Sequence, residues 1–182
     1  MKTIYLYTDG ACSGNQYDEN VGGWGAILQY GDHKKELYGS ASNTTNNVME
    51  LTAMIEGLQA INDPLVRVEV FSDSAYIVDC ISKKWYINWQ NNGWKTSKKT
   101  PVENKNLWEA LLFQLDRIHD VKIYKVKGHL DVTKTKELQK WFEKFIAIKN
   151  ITLEQYIYLV KMNHAVDALA NKGIDEIKAG LL

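Results

Sequence analysis

One early change of hydrophobic period limits what this chain can fold into. Three short runs, 3–9 (TIYLYTD), 24–30 (WGAILQY) and 34–41 (KKELYGSA), are rich in β-branched and aromatic residues and are separated by stretches containing Gly, Asn and Asp. Gly31-Asp32 is a tight-turn pair, so the three runs read as an antiparallel meander. From Thr45 the period becomes helical: Asn47, Glu50, Leu51, Met54, Leu58 and Ile61 fall near one face, and Asp63-Pro64 stops the helix. Residues 66–72 (VRVEVFS) read as a fourth strand, and Ser72-Asp73-Ser74 opens a helix running to about Ser82. Residues 84–100 read as irregular, aromatic and basic. A helix follows with Leu107, Trp108, Leu111, Leu112 and Leu115 on its apolar side, then a fifth strand at 121–126 (VKIYKV). The last stretch of about 50 residues reads as two helical pieces split near Asn150-Ile151-Thr152. Three strands followed by alternating helices and strands imply an α/β fold, a mixed sheet with helices on it. With no repeat or linker, residues 1–182 read as one domain.

Composition narrows the function. The chain carries 22 Lys+Arg and 22 Asp+Glu, so nucleic-acid binding by bulk positive charge is excluded and any such binding needs a local patch. No apolar run reaches the roughly 18 residues of a membrane span, and Met1-Lys2-Thr3 leads directly into a strand, so neither a signal peptide nor an anchor is expected. Cys12 and Cys80 are the two cysteines, too few for a disulfide framework or a structural zinc site. The expected compartment is the cytoplasm.

Four acids sit where a solvated surface would not put them. Asp9 is read as ending the first strand and Asp73 the fourth; if those strands are parallel neighbours, their carboxyl ends lie side by side. Glu50 shares a helical face with Met54 and Leu58, and Asp167 shares the stripe of Leu153, Ile157 and Val160. A lone acid on such a stripe is commonly a helix-edge residue with a local partner. Converging carboxylates repel and take up protons unless a cation neutralises them, and hard oxygen ligands favour Mg²⁺ or Mn²⁺ over zinc.

These residues also carry a resemblance. Tyr7-Thr8-Asp9-Gly10-Ala11-Cys12-Ser13-Gly14-Asn15, Thr45-Asn46-Asn47-Val48-Met49-Glu50-Leu51, Ser72-Asp73-Ser74, Lys127-Gly128-His129 and Asn163-His164-Ala165-Val166-Asp167-Ala168-Leu169-Ala170 follow one another as the blocks of type 1 ribonuclease H do. The resemblance covers residues 3–130 and about 160–175. It implies a five-stranded mixed sheet of order 3-2-1-4-5 flanked by helices. It implies a catalytic quartet of Asp9, Glu50, Asp73 and Asp167 holding two Mg²⁺ ions, with Mn²⁺ as a substitute. The reaction implied is endonucleolytic hydrolysis of the RNA strand of an RNA–DNA hybrid, leaving 5′-phosphate and 3′-hydroxyl ends.

His129 lies in a Gly-containing turn, where a histidine is commonly just exposed; the resemblance instead places it on a mobile loop that assists proton transfer or product release. His33, His119 and His164 match nothing. Asn15, Asn46 and Asn47 suit turn and cap chemistry. In similar proteins these positions, with Cys12 and Ser13, lie along the minor groove and read 2′-hydroxyls.

Residues 83–105 hold six lysines (Lys83, Lys84, Lys95, Lys98, Lys99, Lys105) and one acid, Glu103, for a net of +5. Trp85, Trp89 and Trp94 are interleaved. A solvated face with core tryptophans is one reading; the other is resemblance to the basic handle of bacterial and eukaryotic relatives. That resemblance gives Trp85 and Trp89 a DNA-strand channel, and Asn88 with Thr45 a DNA phosphate. Gln90-Asn91-Asn92 replaces a run that is basic in those relatives, with Lys95, Lys98 and Lys99 as compensating charges, so hybrid affinity is expected to be weaker and salt-sensitive.

Asp167 follows His129 by 38 positions, where the family has a short loop. The excess, about 131–160, reads as a helical hairpin. Leu138, Trp141, Phe142, Phe145 and Ile148 form an apolar stripe opposite Lys136, Lys140, Glu143 and Lys144, and Thr152 caps a second helix. The stripe either docks on the domain or stays open to a protein partner, and the segment could act as a lid. The expectation is a monomer. Two other readings stay open: a nuclease of the same fold with another substrate, and a non-catalytic hybrid-binding module.

Overall fold

A computed structural model describes residues 1–14 and 20–180. Strands β1 (Thr3–Ser13), β2 (Val21–Tyr30) and β3 (His33–Ser42) form an antiparallel meander. Its second turn is the Gly31-Asp32 pair, with Tyr30 opposite His33 and Gly31 at φ 59°, where a side chain would be strained. Helix α1 (Asn46–Gln59) crosses to β4 (Arg67–Ser72), which pairs with β1 in parallel. Helices α2 (Ala75–Ser82), α3 (Trp85–Asn91) and α4 (Lys105–Arg117) lead to β5 (Asp120–Lys125), parallel to β4. Helices α5 (Thr135–Ile146) and α6 (Leu153–Lys178) complete the chain. The sheet order is β3-β2-β1-β4-β5, as expected.

Period-2 alternation splits the core in two. On β1 and β4, Leu6, Val68 and Val70 face α1 and α4, where Leu51, Met54, Leu58, Trp108 and Leu111 bury an aliphatic layer. Tyr7 and Phe71 face the other way and join Tyr156, Val160 and Val166 of α6 with Leu138 and Phe145 of α5. That layer is largely aromatic: Phe71 stacks on Tyr7 at 5.4 Å and on Tyr124 at 5.5 Å between ring centroids. The apolar stripe of the 131–160 segment is thus docked on the domain through Leu138 and Phe145, with Trp141 and Phe142 half-buried and Ile148 exposed.

Two sequence readings need correction. Asp9 does not end the first strand: β1 continues through Asp9-Gly10 to Ser13, its ladder to β2 holding as far as Ser13 opposite Val21. Pairing with a long partner outweighs the local turn preference. The stretch 84–100 is not wholly irregular: α3 occupies Trp85–Asn91. It starts from Lys84 in the left-handed region, with no side-chain cap and no buried residue, so neither a cap nor an apolar stripe announces it. By contrast Thr152 caps α6 as expected, in a capping box with Gln155. Among the described residues no helix is long and apolar enough to cross a membrane.

Candidate active site

The parallel ladder between β1 and β4 ends at Thr8 opposite Ser72, and the next residue on each chain is an acid, Asp9 and Asp73. Their carboxylates therefore emerge side by side where the β1–β4 ladder ends, Asp73 just past the end of β4 and Asp9 within β1, which runs on to Ser13. Glu50 arrives from the second turn of α1, whose start is fixed by Thr45: its Oγ accepts the Val48 amide at 3.1 Å. Gly10 lets the helix come this close. A Cβ there would lie 2.5 Å from the Glu50 amide nitrogen and 2.5 Å from the Met49 carbonyl carbon. On the other face, Gly25 of β2 lets α6 settle on the sheet, since a Cβ would lie 2.6 Å from the Val166 carbonyl oxygen. This seating brings Asp167, the next residue, and Asn163, one turn earlier, to the same end of the sheet.

One carboxylate oxygen each of Asp9, Glu50 and Asp73 lie within 4.8 Å of one another. Asp9 and Glu50 are buried and Asp73 is half-buried. Burial pushes the Asp9 carboxyl well above the ordinary carboxylate range, the charges of Glu50 and Asp73 push it further, and hydrogen bonding toward Glu50 and Asp167 adds to the rise. Burial also raises Glu50, against the Asp9 and Gly10 hydrogen bonds that lower it, with Asp73 and Asp167 adding to the rise. Glu50 Oε2 is buried with no hydrogen-bond partner. An orphaned buried oxygen beside two further carboxylates, with neither sulfur nor imidazole in the set, fits a hard divalent cation. Asp167 stands outside the tight triad but lines the same cavity, of about 460 Å³, and faces Asp9 and Glu50 electrostatically.

Cys12, Asn46, Asn47 and His129 line that cavity too. Burial raises the Cys12 thiol. His129 is exposed at φ 54°, in the left-handed region that a non-glycine residue seldom occupies. Ser13 lies on the last residue of β1, where its Oγ accepts from Lys178 Nζ at 2.6 Å. Asn15 lies outside the described residues. Trp85, Asn88, Trp89 and Lys95 do not line the cavity. Trp89 and Trp94 are half-buried, their rings 5.9 Å apart, and Trp89 meets the fully buried Trp108 edge-on at 5.6 Å. Trp85 is exposed beneath Lys83, and Asn88 and Lys95 are exposed.

The sequence pattern by itself assigns Asn163 no role. It is buried and donates from Nδ2 to Asp73 Oδ2 at 3.5 Å, a long contact that aims the carboxylate. The signal was available: an amide on the apolar stripe of a helix, four residues before an acid. Tyr76 also lines the cavity, its hydroxyl accepting from Trp108 Nε1 at 2.7 Å, and it ties the cavity wall to the core.

A family model described as RNase H matches residues 1–175. A Ribonuclease H of Clostridium botulinum (strain Hall) is 49% identical over 131 residues, covering 72% of this chain and 87% of the relative. A Ribonuclease H of Syntrophomonas wolfei is 54% identical over 129 residues, covering 71% and 86%. In three dimensions the chain is similar to LC9-RNase H1, described as a type 1 RNase H with the type 2 active-site motif. The TM-score is 0.62 at 24% identity, over 89% of this chain and 85% of that one, and this likeness bears on the fold. On the strength of the family match and the relatives near half identity, the chain belongs to the ribonuclease H family and is a nuclease, a hydrolase of phosphodiester bonds.

Proposed function

We propose that this protein is an endonuclease that hydrolyses the RNA strand of RNA–DNA hybrids, with Asp9, Glu50, Asp73 and Asp167 holding two Mg²⁺ ions, and that it leaves 5′-phosphate and 3′-hydroxyl ends. The observation that carries this is the meeting of carboxylates around an unpartnered, buried Glu50 oxygen where the β1–β4 ladder ends. Divalent ions in such a setting supply Lewis-acid stabilisation of charge on the phosphate and acidify a hydrolytic water.

The chain's own part is placement and proton handling. Asp9 and Asp73, fixed by adjacent strands, and Glu50, fixed by a capped helix, set the position of the scissile phosphate without needing to move. Asn163 keeps the Asp73 carboxylate aimed. His129, exposed at the cavity edge, receives or returns a proton at the leaving oxygen. Asn46, Asn47 and Cys12 extend the cavity floor and read the minor groove, where the 2′-hydroxyl separates RNA from DNA. Ser13, at the end of β1, joins them, and Asn15 keeps the minor-groove role that the resemblance implies. The Thr45 hydroxyl spends its lone pair on the cap and keeps its hydrogen for a DNA phosphate shared with Asn88. The basic stretch 83–105, with Trp85, Trp89 and Lys95, is the handle for the DNA strand, Trp85 being the exposed ring.

The test is a substrate panel in Mg²⁺: labelled RNA–DNA hybrid, double-stranded RNA, single-stranded RNA and double-stranded DNA, each with the wild type and Asp73→Asn. Internal cuts confined to the hybrid's RNA and lost in the variant are expected. Cutting of another duplex, or hybrid binding without cutting, would overturn the reading.

A further inference from the structure

Helix α5 brings a second charged cluster to the edge of the site. Three ammonium groups surround one ring: Lys127, just beyond β5, lies 5.0 Å from the Trp141 centroid, Lys140 lies at 5.3 Å and Lys144 at 4.4 Å. None of the three makes an ion pair among the described residues. Lys140 and Lys144 are one turn apart on α5, a spacing at which like charges destabilise a helix, and Lys127 adds a third charge from another element. A cluster of this kind is relieved by an anion.

Its location says which anion. Trp141 and Lys144 line a cleft of about 260 Å³ that also contains Lys127, Gly128 and Asp73. The loop is pressed against the carboxylate, since a Cβ on Gly128 would lie 2.5 Å from Asp73 Oδ2. Asp73 is therefore a wall common to this cleft and to the carboxylate cavity. A strand held for cleavage at Asp73 leads directly into lysines.

We infer that the cleft between the end of β5 and α5 is a binding site for the phosphodiester backbone of the RNA strand beside the point of cleavage, with Lys127 and Lys144 in the cleft, and Lys140 beside them on the Trp141 ring, taking the phosphates. This rests on the hybrid-ribonuclease reading. It assigns the RNA strand and not the DNA strand, because the strand cut at Asp73 is the one that reaches the cleft. The docked helix thereby becomes an extension of the substrate track. Its apolar stripe anchors it, and its ringed tryptophan faces the substrate.

The experiment measures hybrid cleavage by the full chain against Lys140→Gln/Lys144→Gln, both exposed on α5, with Lys140→Arg/Lys144→Arg as a charge-preserving partner. On a long hybrid the Gln variant should raise KM about tenfold at low salt and flatten the slope of log KM against log salt by about 1 to 2, at near-unchanged kcat; the Arg variant should restore both. Shortening the hybrid from one end, with the cut site fixed, should raise the wild-type KM and erase the difference. Shortening from the other end should leave the difference in place. Equal KM and salt slope on the long hybrid overturn the inference while cleavage by the wild type leaves the ribonuclease reading intact. A loss that persists after shortening from either end, or a lowered thermal midpoint with no rescue by Arg, also overturns it. A wild type that cuts no hybrid overturns the functional reading, and this one with it.

Discussion

Two clusters of like charge meet at Asp73, and they differ in how the fold holds them. The carboxylates are fixed by backbone: two continue from paired strands, and the third rides on a helix that Gly10 admits to contact distance. Being largely buried, they cannot relieve their repulsion by turning to water, so a proton or a cation must do it. The lysines of Lys127, Lys140 and Lys144 sit on flexible, exposed stems, gathered by a ring and screened by solvent. The first arrangement is a rigid demand for a cation and suits chemistry. The second is a soft attraction for phosphate and suits affinity.

The sharpest way to break that contrast is to remove one charge from the rigid cluster. Asp73→Asn keeps the shape and removes a fixed ligand, so hybrid cleavage should fall by about 10³-fold or more with circular dichroism unchanged. Cleavage within tenfold of the wild type would mean the carboxylates are not the working set. Next is the packing that enforces the cluster. Gly10→Ala should force α1 away from β1, lowering unfolding free energy by about 1–3 kcal/mol in urea denaturation. Displacing Glu50 by even a fraction of an ångström should slow cleavage by up to about 10²-fold.

The pH dependence follows from the raised carboxyls. In metal-free protein the folded state keeps protons on Asp9 and Glu50 that the unfolded chain releases in the ordinary carboxylate range. Folded protein then binds more protons than unfolded, so stability must fall as pH rises from that range toward the raised folded values. Thermal melts in chelator should show this fall, and saturating Mg²⁺ should remove most of it. A melt profile rising with pH over the same interval in chelator would contradict the burial of the pair. The smallest effect lies outside both clusters. Thr152→Ala removes the α6 capping box and should lower stability by about 1 kcal/mol while leaving hybrid cleavage untouched, which separates loosening of the α5–α6 corner from loss of either charge.

How much of this was legible in the chain depends on whether a signal was local. Asp9, Glu50, Asp73 and Asp167 stood out because each breaks a hydrophobic pattern or ends one; the run of periods gave the α/β class, and the sheet order came only with the family resemblance. The extension of β1 to Ser13 was hidden because it is made by pairing with β2, while Asp9-Gly10 locally looks like a turn. Gly10 matters for an approach between elements 40 residues apart in sequence, which no local pattern records. Helix α3 has no side-chain cap and no buried face, so nothing in its seven residues marks it. Lys140 and Lys144 were readable as the polar side of α5. Their meeting with Lys127 was not, because Lys127 comes from the far side of a loop.

The most direct test of the central claim, that the sheet end is a buried anionic hollow completed by a divalent cation, is calorimetric titration of Mg²⁺ and Mn²⁺ into metal-free wild type and Glu50→Gln at two pH values in buffers of different ionisation enthalpy. Binding should tighten as pH rises, release protons from the carboxyl pair, and weaken strongly in Glu50→Gln. Equal binding in the two proteins, with no proton release, would contradict it.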